Sequence, residues 1–183
     1  MLNNITKQSA KPGFTLFELL VSIFLIATIS TLFFANYHST NKRTDVIAAA
    51  NNLASAYRLA QSNSLGLVKY NGSVPAGGWG VHTVASSSNY IVFADVNDNS
   101  AYDVGEALEA KGGRIINLPA SVSLSNISIG TTADVSFLPP NPETRIYNGV
   151  ATSTSVQIDV YETINGSTKS VLVNFLGLIE VLE

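Results

Sequence analysis

The sequence predicts an α+β fold: a long N-terminal helix, transmembrane in its first half and packed by its second half on an antiparallel β-sheet or sandwich domain. Three observations lead there. From Leu16 to Ala35 the chain is apolar or small except for Glu18, and about 20 such residues suffice for a helix to cross a bilayer. No Gly or Pro occurs between Phe14 and Leu65, so nothing in that stretch breaks a helix. Beyond Gly78, short runs alternate apolar and polar residues between clusters of Gly, Asn, Ser and Pro, the pattern of half-buried strands joined by turns.

The helix comes first in the chain. Gly13 and Gly66 bracket it, and about 52 residues at 1.5 Å each would span roughly 80 Å. Residues 14–35 form its transmembrane half and 36–65 its amphipathic half. In the second half Lys42, Arg43, Asp45, Asn51, Asn52 and Arg58 make a polar face. Val46, Ala49, Ala50, Leu53, Ala56, Tyr57 and Ala60 recur at three- and four-residue spacing and make an apolar stripe that needs a cover. A sheet from residues 66–183 is the natural cover.

Leu65 to Gly78 reads as a loop. Strands are predicted at Trp79 to Val84, Asn89 to Ala94, Arg114 to Leu118, Val122 to Ile129, Ala133 to Phe137, Ser155 to Glu162, Thr168 to Phe175 and Leu178 to Leu182. Leu138-Pro139-Pro140-Asn141-Pro142 reads as a rigid connection, because proline cannot sit in a central strand. Asn165-Gly166 is predicted to be a two-residue type I′ hairpin turn.

Composition narrows the function. The 183 residues are 46% hydrophobic and 13% charged, with a net charge of −3 and a mean hydropathy of +0.24. Losing Lys7 and Lys11 with residues 1–13 would leave eight basic residues against 13 acidic ones, a net of −5. That balance argues against a nucleic-acid partner. Outside the helix Lys111 and Arg114 are the one close basic pair. With no cysteine, disulfides, thiolate metal sites and cysteine nucleophiles are excluded. His38 and His82 stand isolated in the sequence, too few for a zinc site, and no catalytic residues are expected.

The N-terminal segment has a plain reading as a signal peptide or signal anchor. A secretory signal has a shorter apolar core and a small-residue cleavage site, whereas this run ends in Phe33-Phe34-Ala35-Asn36-Tyr37-His38. A plain anchor leaves Glu18 unexplained, since a carboxylate inside an apolar span is costly unless a cation pairs with it. Lys7 and Lys11 ahead of the run favour a cytoplasmic N-terminus.

Lys11-Pro12-Gly13-Phe14-Thr15-Leu16-Phe17-Glu18 resembles the class III leader of type IV pilins and pseudopilins. The resemblance implies cleavage after Gly13 by a prepilin peptidase and N-methylation of the new terminus at Phe14. It also implies that Glu18, fifth counting from Phe14, pairs with the Phe14 amine of a neighbouring subunit and sets the axial register. Leu53 to Ala60, Tyr90 to Asn97, Gly105-Glu106 and the strand from Val173-Asn174 to Gly177 resemble the H-type minor pseudopilins (GspH/FimT-type). The implied partners are other pilin or pseudopilin subunits, the prepilin peptidase/methyltransferase and the cytoplasmic membrane. The implied location is that membrane, single-pass with the C-terminal domain outside, and then a pilus or a type II secretion pseudopilus. A DNA-capturing minor pilin of a competence pilus is the alternative within this superfamily, and it would want a basic patch.

One other cluster invites a ligand. In Asp95 to Glu106, oxygen side chains at Asp95, Asn97, Asn99, Asp103 and Glu106, with the Ala101 carbonyl, fall at the spacing of a calcium loop. Ser100 stands where such a loop has Gly, the two Asn lower the charge, and a predicted strand precedes the loop instead of a helix. The competing reading is an Asx-rich turn whose side chains cap their own backbone. A membrane-anchored calcium module is therefore a further alternative; otherwise no cofactor is expected.

Overall fold

The structure is a computed structural model describing residues 13–107, 114–140 and 143–182, with the backbone alone for 35–42. Lys7, Lys11 and Pro12 of the leader, Lys111, and Asn141 and Pro142 of the proline-rich connection lie outside the described residues, as does the side chain of His38. By its internal contacts the chain divides into two units, Met1–Ser39 and Thr40–Glu183. Helix α1 (Leu16–Leu65) contributes residues to both.

In the first unit, Leu16–Phe34 is a helix long and apolar enough to cross a membrane, and none of it is buried. Its hydroxyls would be a liability in hydrocarbon if left unbonded. Each described one turns back on its own helix: Ser22 Oγ donates to the Glu18 carbonyl at 2.7 Å, Thr28 Oγ1 to Phe24 at 3.0 Å, Ser30 Oγ to Ile26 at 2.7 Å and Thr31 Oγ1 to Ala27 at 3.0 Å. Back-bonding of this kind lets Ser and Thr sit in an apolar span.

In the second unit, Val46, Ala49, Ala50, Leu53, Ala56, Tyr57 and Ala60 are buried and belong to one apolar core with Trp79, Val81, Val92, Val135, Phe137, Val156, Ile158, Val171 and Val173. Helix α1 ends in a Schellman motif, with Val68 N donating to the Asn63 carbonyl at 2.9 Å and Leu67 N to Ser64 at 3.2 Å. The left-handed residue that closes it is Leu67 (φ 51°), although glycine is the usual occupant. The sequence offers Gly66 for that role, but Gly66 is one residue too early.

Among the described residues ten strands follow: β1 (Gly78–Val84), β2 (Asn89–Asp95), β3 (Arg114–Asn117), β4 (Val122–Ile127), β5 (Thr132–Leu138), β6 (Glu143–Tyr147), β7 (Thr152–Ser153), β8 (Ser155–Glu162), β9 (Thr168–Asn174) and β10 (Ile179–Leu182). They form two antiparallel sheets, ordered β3-β2-β1-β5-β6-β7 and β10-β9-β8-β4. Strands β6 and β7 have no counterpart in the sequence prediction. In Glu143-Thr144-Arg145-Ile146-Tyr147 the inward residues are Thr144 and Ile146, so a threonine hides half of the alternation.

The Asn165-Gly166 turn also differs from its prediction. A type I′ turn needs a positive φ at both central residues, and of this pair only Gly166 has one, at 69°. The loop is longer and is built on Glu162. Its fully buried carboxylate accepts the Ile164 and Asn165 amides at 2.7 and 2.9 Å, while Glu162 N donates to the Ser167 carbonyl.

Successive side chains alternate faces along a strand, which separates two environments on β1. Trp79 and Val81 enter the core shared with the helix, and Trp79 N donates a hydrogen bond to Ser64 Oγ at 2.8 Å. Gly80 and His82 face the other way. Opposite Gly80 stand Phe93 on β2 and Ser136 on β5, and both are fully buried. The segment from Val96 to Glu106 supplies cover for Phe93. Tyr102 lies with its ring centroid 5.7 Å from that of Phe93 and 5.1 Å from that of His82. Asp98 reaches Arg145 on β6 at 2.7 Å.

Candidate functional site

Gly13 has open space where a side chain would stand, and Phe14 is 74% exposed. Helix α1 starts just beyond them because Thr15 caps it. Thr15 Oγ1 accepts the Glu18 amide at 3.2 Å, and the Thr15 carbonyl accepts the first helical bond, from Leu19 N at 3.1 Å. Thr15-Leu16-Phe17-Glu18 thus has the spacing of a capping box, in which an acid three residues past the cap favours the helix N-terminus. The sequence carries this signal, and the reading built on membrane cost alone misses it. Glu18 is exposed, on the same helix as the apolar span and at its first turn.

The Asp95–Glu106 loop closes on itself. Asp95 is fully buried, and its Oδ1 and Oδ2 accept the amides of Asn99 at 3.2 Å and Ser100 at 2.8 Å. Glu106, 6% exposed, accepts Val96 N and Asp103 N at 2.9 Å each. Asp103 Oδ2 accepts the side-chain amides of Asn97 and Asn99, both at 2.8 Å. The amide oxygens of Asn97 and Asn99 meanwhile face the backbone N–H groups of Asn99 and Ala101. This fixes their orientation, since a reversed amide would set donor against donor. Ala101 contributes its N–H to this pattern.

Burial pushes the Asp95 carboxyl above the usual carboxylate range, against the pull of the Ser100 and Asn99 amides. Burial does the same to Glu106, against hydrogen bonds from Asp103 and Val96. A calcium loop would turn the oxygens of Asn97 and Asn99 and the carboxylates of Asp95, Asp103 and Glu106 to one centre. In this arrangement they turn to backbone and to one another, so the residues as placed do not fit the ion. Among the described residues no group of three or more His, Asp or Glu side chains is gathered for a metal.

His82 is not isolated in space. Its Nδ1 lies 2.6 Å from Asp134 Oδ1, and Asp134 stands directly opposite it on β5. A long-range pair of this kind, 52 residues apart, leaves no local mark in the sequence. A shallow groove lies between the helix and the β2–β3 edge, lined by Asn52, Ser55, Leu59, Tyr90, Arg114 and Ile116. Burial pushes the Tyr90 hydroxyl up to about 12. Arg114 is exposed there.

Compared with protein-family models, with curated proteins and with solved structures, the chain matches none.

Proposed function

We propose that the chain is a non-enzymatic structural subunit of the pilin or pseudopilin type, inserted in the cytoplasmic membrane and assembled with related subunits through its N-terminal helix. The reading rests on one observation above all. A Gly13-Phe14 bond stands immediately ahead of a capped, wholly unburied apolar helix that carries one acid, Glu18, in its first turn.

In this reading a prepilin peptidase cuts after Gly13, the same enzyme methylates Phe14, and Glu18 accepts the Phe14 ammonium of a neighbour. Such a pair sets register where apolar helices would otherwise slide, because an ionised carboxylate in hydrocarbon is stable only with its cation at hand. A long helix packed by its second half on a sheet domain would suit this task, and the buried stripe from Val46 to Ala60 supports that reading. The net charge of −3 weighs against DNA as the partner.

Mass spectrometry of the membrane-extracted protein tests the reading. The expected chain lacks residues 1–13 and carries one added methyl; an intact N-terminus overturns the proposal. Glu18→Ala is expected to insert in the membrane normally and to be excluded from filaments. Normal incorporation of that variant would remove the register role.

A further inference from the structure

The segment Val96–Asp103 is joined to itself and to the sheet by two different kinds of contact. At its root the bonds run to two buried carboxylates, Asp95 at the end of β2 and Glu106, and across its outer side to the exposed Asp103. Asp95 holds Asn99 N and Ser100 N, Glu106 holds Val96 N and Asp103 N, and Asp103 gathers the side chains of Asn97 and Asn99. Towards the sheet, the described contacts are of another sort: the Tyr102 ring against His82 and Phe93, and the Asp98–Arg145 ion pair. That pair is half exposed at Asp98, and exposed pairs are weak and screened by salt.

The closed position also carries costs. Asp98 and Ser100 hold left-handed backbones, φ 59° and 63°, which side chains other than glycine disfavour. On the sheet face that carries Phe93 and Arg145, Ser136 Oγ is buried with no hydrogen-bond partner among the described residues, and a buried hydroxyl left unpaired is unfavourable. Ser136 stands between Gly80 and Arg145 in the sheet, so it lies between the two points where the segment touches down.

We propose that Val96–Asp103 is a strap hinged at Asp95, the end of β2, and at Glu106: it keeps its bonds to both carboxylates while its far side swings out and Tyr102 and Asp98 release His82, Phe93 and Arg145. Lifting bares Phe93 and Ser136, an aromatic slot with one hydroxyl that the closed domain hides. A segment held at its root by two buried carboxylates, and at its far side by one aromatic ring and one screened ion pair, separates at the far side first.

The absence of cysteine from the chain provides the test. Ser136→Cys places a single thiol under the strap, in the detergent-solubilised full chain, and its reaction with Ellman's reagent reports opening. The thiol is expected to react at least tenfold more slowly than a free thiol. Adding Tyr102→Ala, or raising the salt to 1 M, is expected to accelerate it about tenfold or more with the melting temperature of the domain held within a few degrees. Labelling at the free-thiol rate from the start, or a slow rate that neither change moves, overturns the proposal.

Hydrogen exchange distinguishes lifting from unravelling, and it needs no cysteine variant. In Tyr102→Ala the amides of Val96, Asn99, Ser100 and Asp103 are expected to keep the parent's protection. If they lose protection in that variant, the segment melts locally and the strap is refuted.

Discussion

The Asp95 carboxylate occupies the space that a side chain on residue 77 would need. A Cβ built on Gly77 would overlap Asp95 Oδ2 and Cγ, and Gly77 N donates to the Asp95 carbonyl at 2.9 Å. Glycine at 77 and the buried acid at 95 are one fitted pair joining the loop after the helix to the end of β2. Gly77→Ala is therefore expected to destabilise the domain by about 1–3 kcal/mol, the usual cost of overfilling a packed site. Thermal melting followed by circular dichroism measures it, and a melting temperature equal to the parent's would mean the acid is not packed against the glycine.

Leu67 closes the helix from a conformation that suits glycine, and it is 48% exposed. Leu67→Gly is expected to stabilise the protein by about 0.5–1 kcal/mol, because relief of the left-handed strain outweighs glycine's larger freedom in the unfolded chain. Denaturant titration decides the sign. A loss of stability would show that the Leu67 side chain contributes more by packing than its backbone costs.

The carboxyls titrate in opposite directions. Asp95 and Glu106 are raised, chiefly by burial. For Asp159 burial also works upward, but hydrogen bonds from Ser170, Gln157 and Asn126 outweigh it and the net shift is downward. A raised acid contributes stability that is present in full below its unfolded value, near 4, and is lost as the pH rises through the folded value. A lowered acid contributes stability present above its unfolded value and lost as the pH falls through the folded one. Carbon-13 titration of the side-chain carboxyls is expected to put the midpoints of Asp95 and Glu106 above the reference values of about 3.9 and 4.3, and that of Asp159 below about 3.9. The reverse order would contradict the loop geometry.

The Asp95–Glu106 loop satisfies its oxygens with its own amides. Melting curves in millimolar calcium and in chelator are expected to coincide. A rise of several degrees with calcium, abolished in Asp95→Ala, would show that Asn97 and Asn99 can turn and admit the ion.

The sequence makes the helix and most of the strands legible because each depends on short-range pattern. An unbroken run to Leu65 sets the helix, and the clean alternation of Val156, Ile158 and Val160 sets β8. What it hides depends on long-range pairing. Asp134 finds His82 only when β5 lies beside β1, and Thr144 reads as surface until β6 is seen to face inward. The acidic loop is the instructive case. Its spacing of oxygens is the same for a metal loop and for an Asx-rich turn, and the direction of two amide groups separates them. The capping role of Thr15 is legible in the Thr15-Leu16-Phe17-Glu18 spacing, where Glu18 is costly to the membrane span and favourable to the helix start.

The last two described elements reach back a long way. Gln61 Nε2 donates to the Gly177 carbonyl, and Arg58 Nη2 to that of Ile179, across 116 and 121 residues. By contrast, Ser64 and Trp79, 15 residues apart, meet as soon as a short loop closes. Near contacts form quickly and distant ones late. The helix flank is thus sealed by residues more than a hundred positions further along the chain. Without the hairpin of β9 and β10, Arg58 and Gln61 would lose both of these acceptors, so that hairpin acts as the latch on the helix flank.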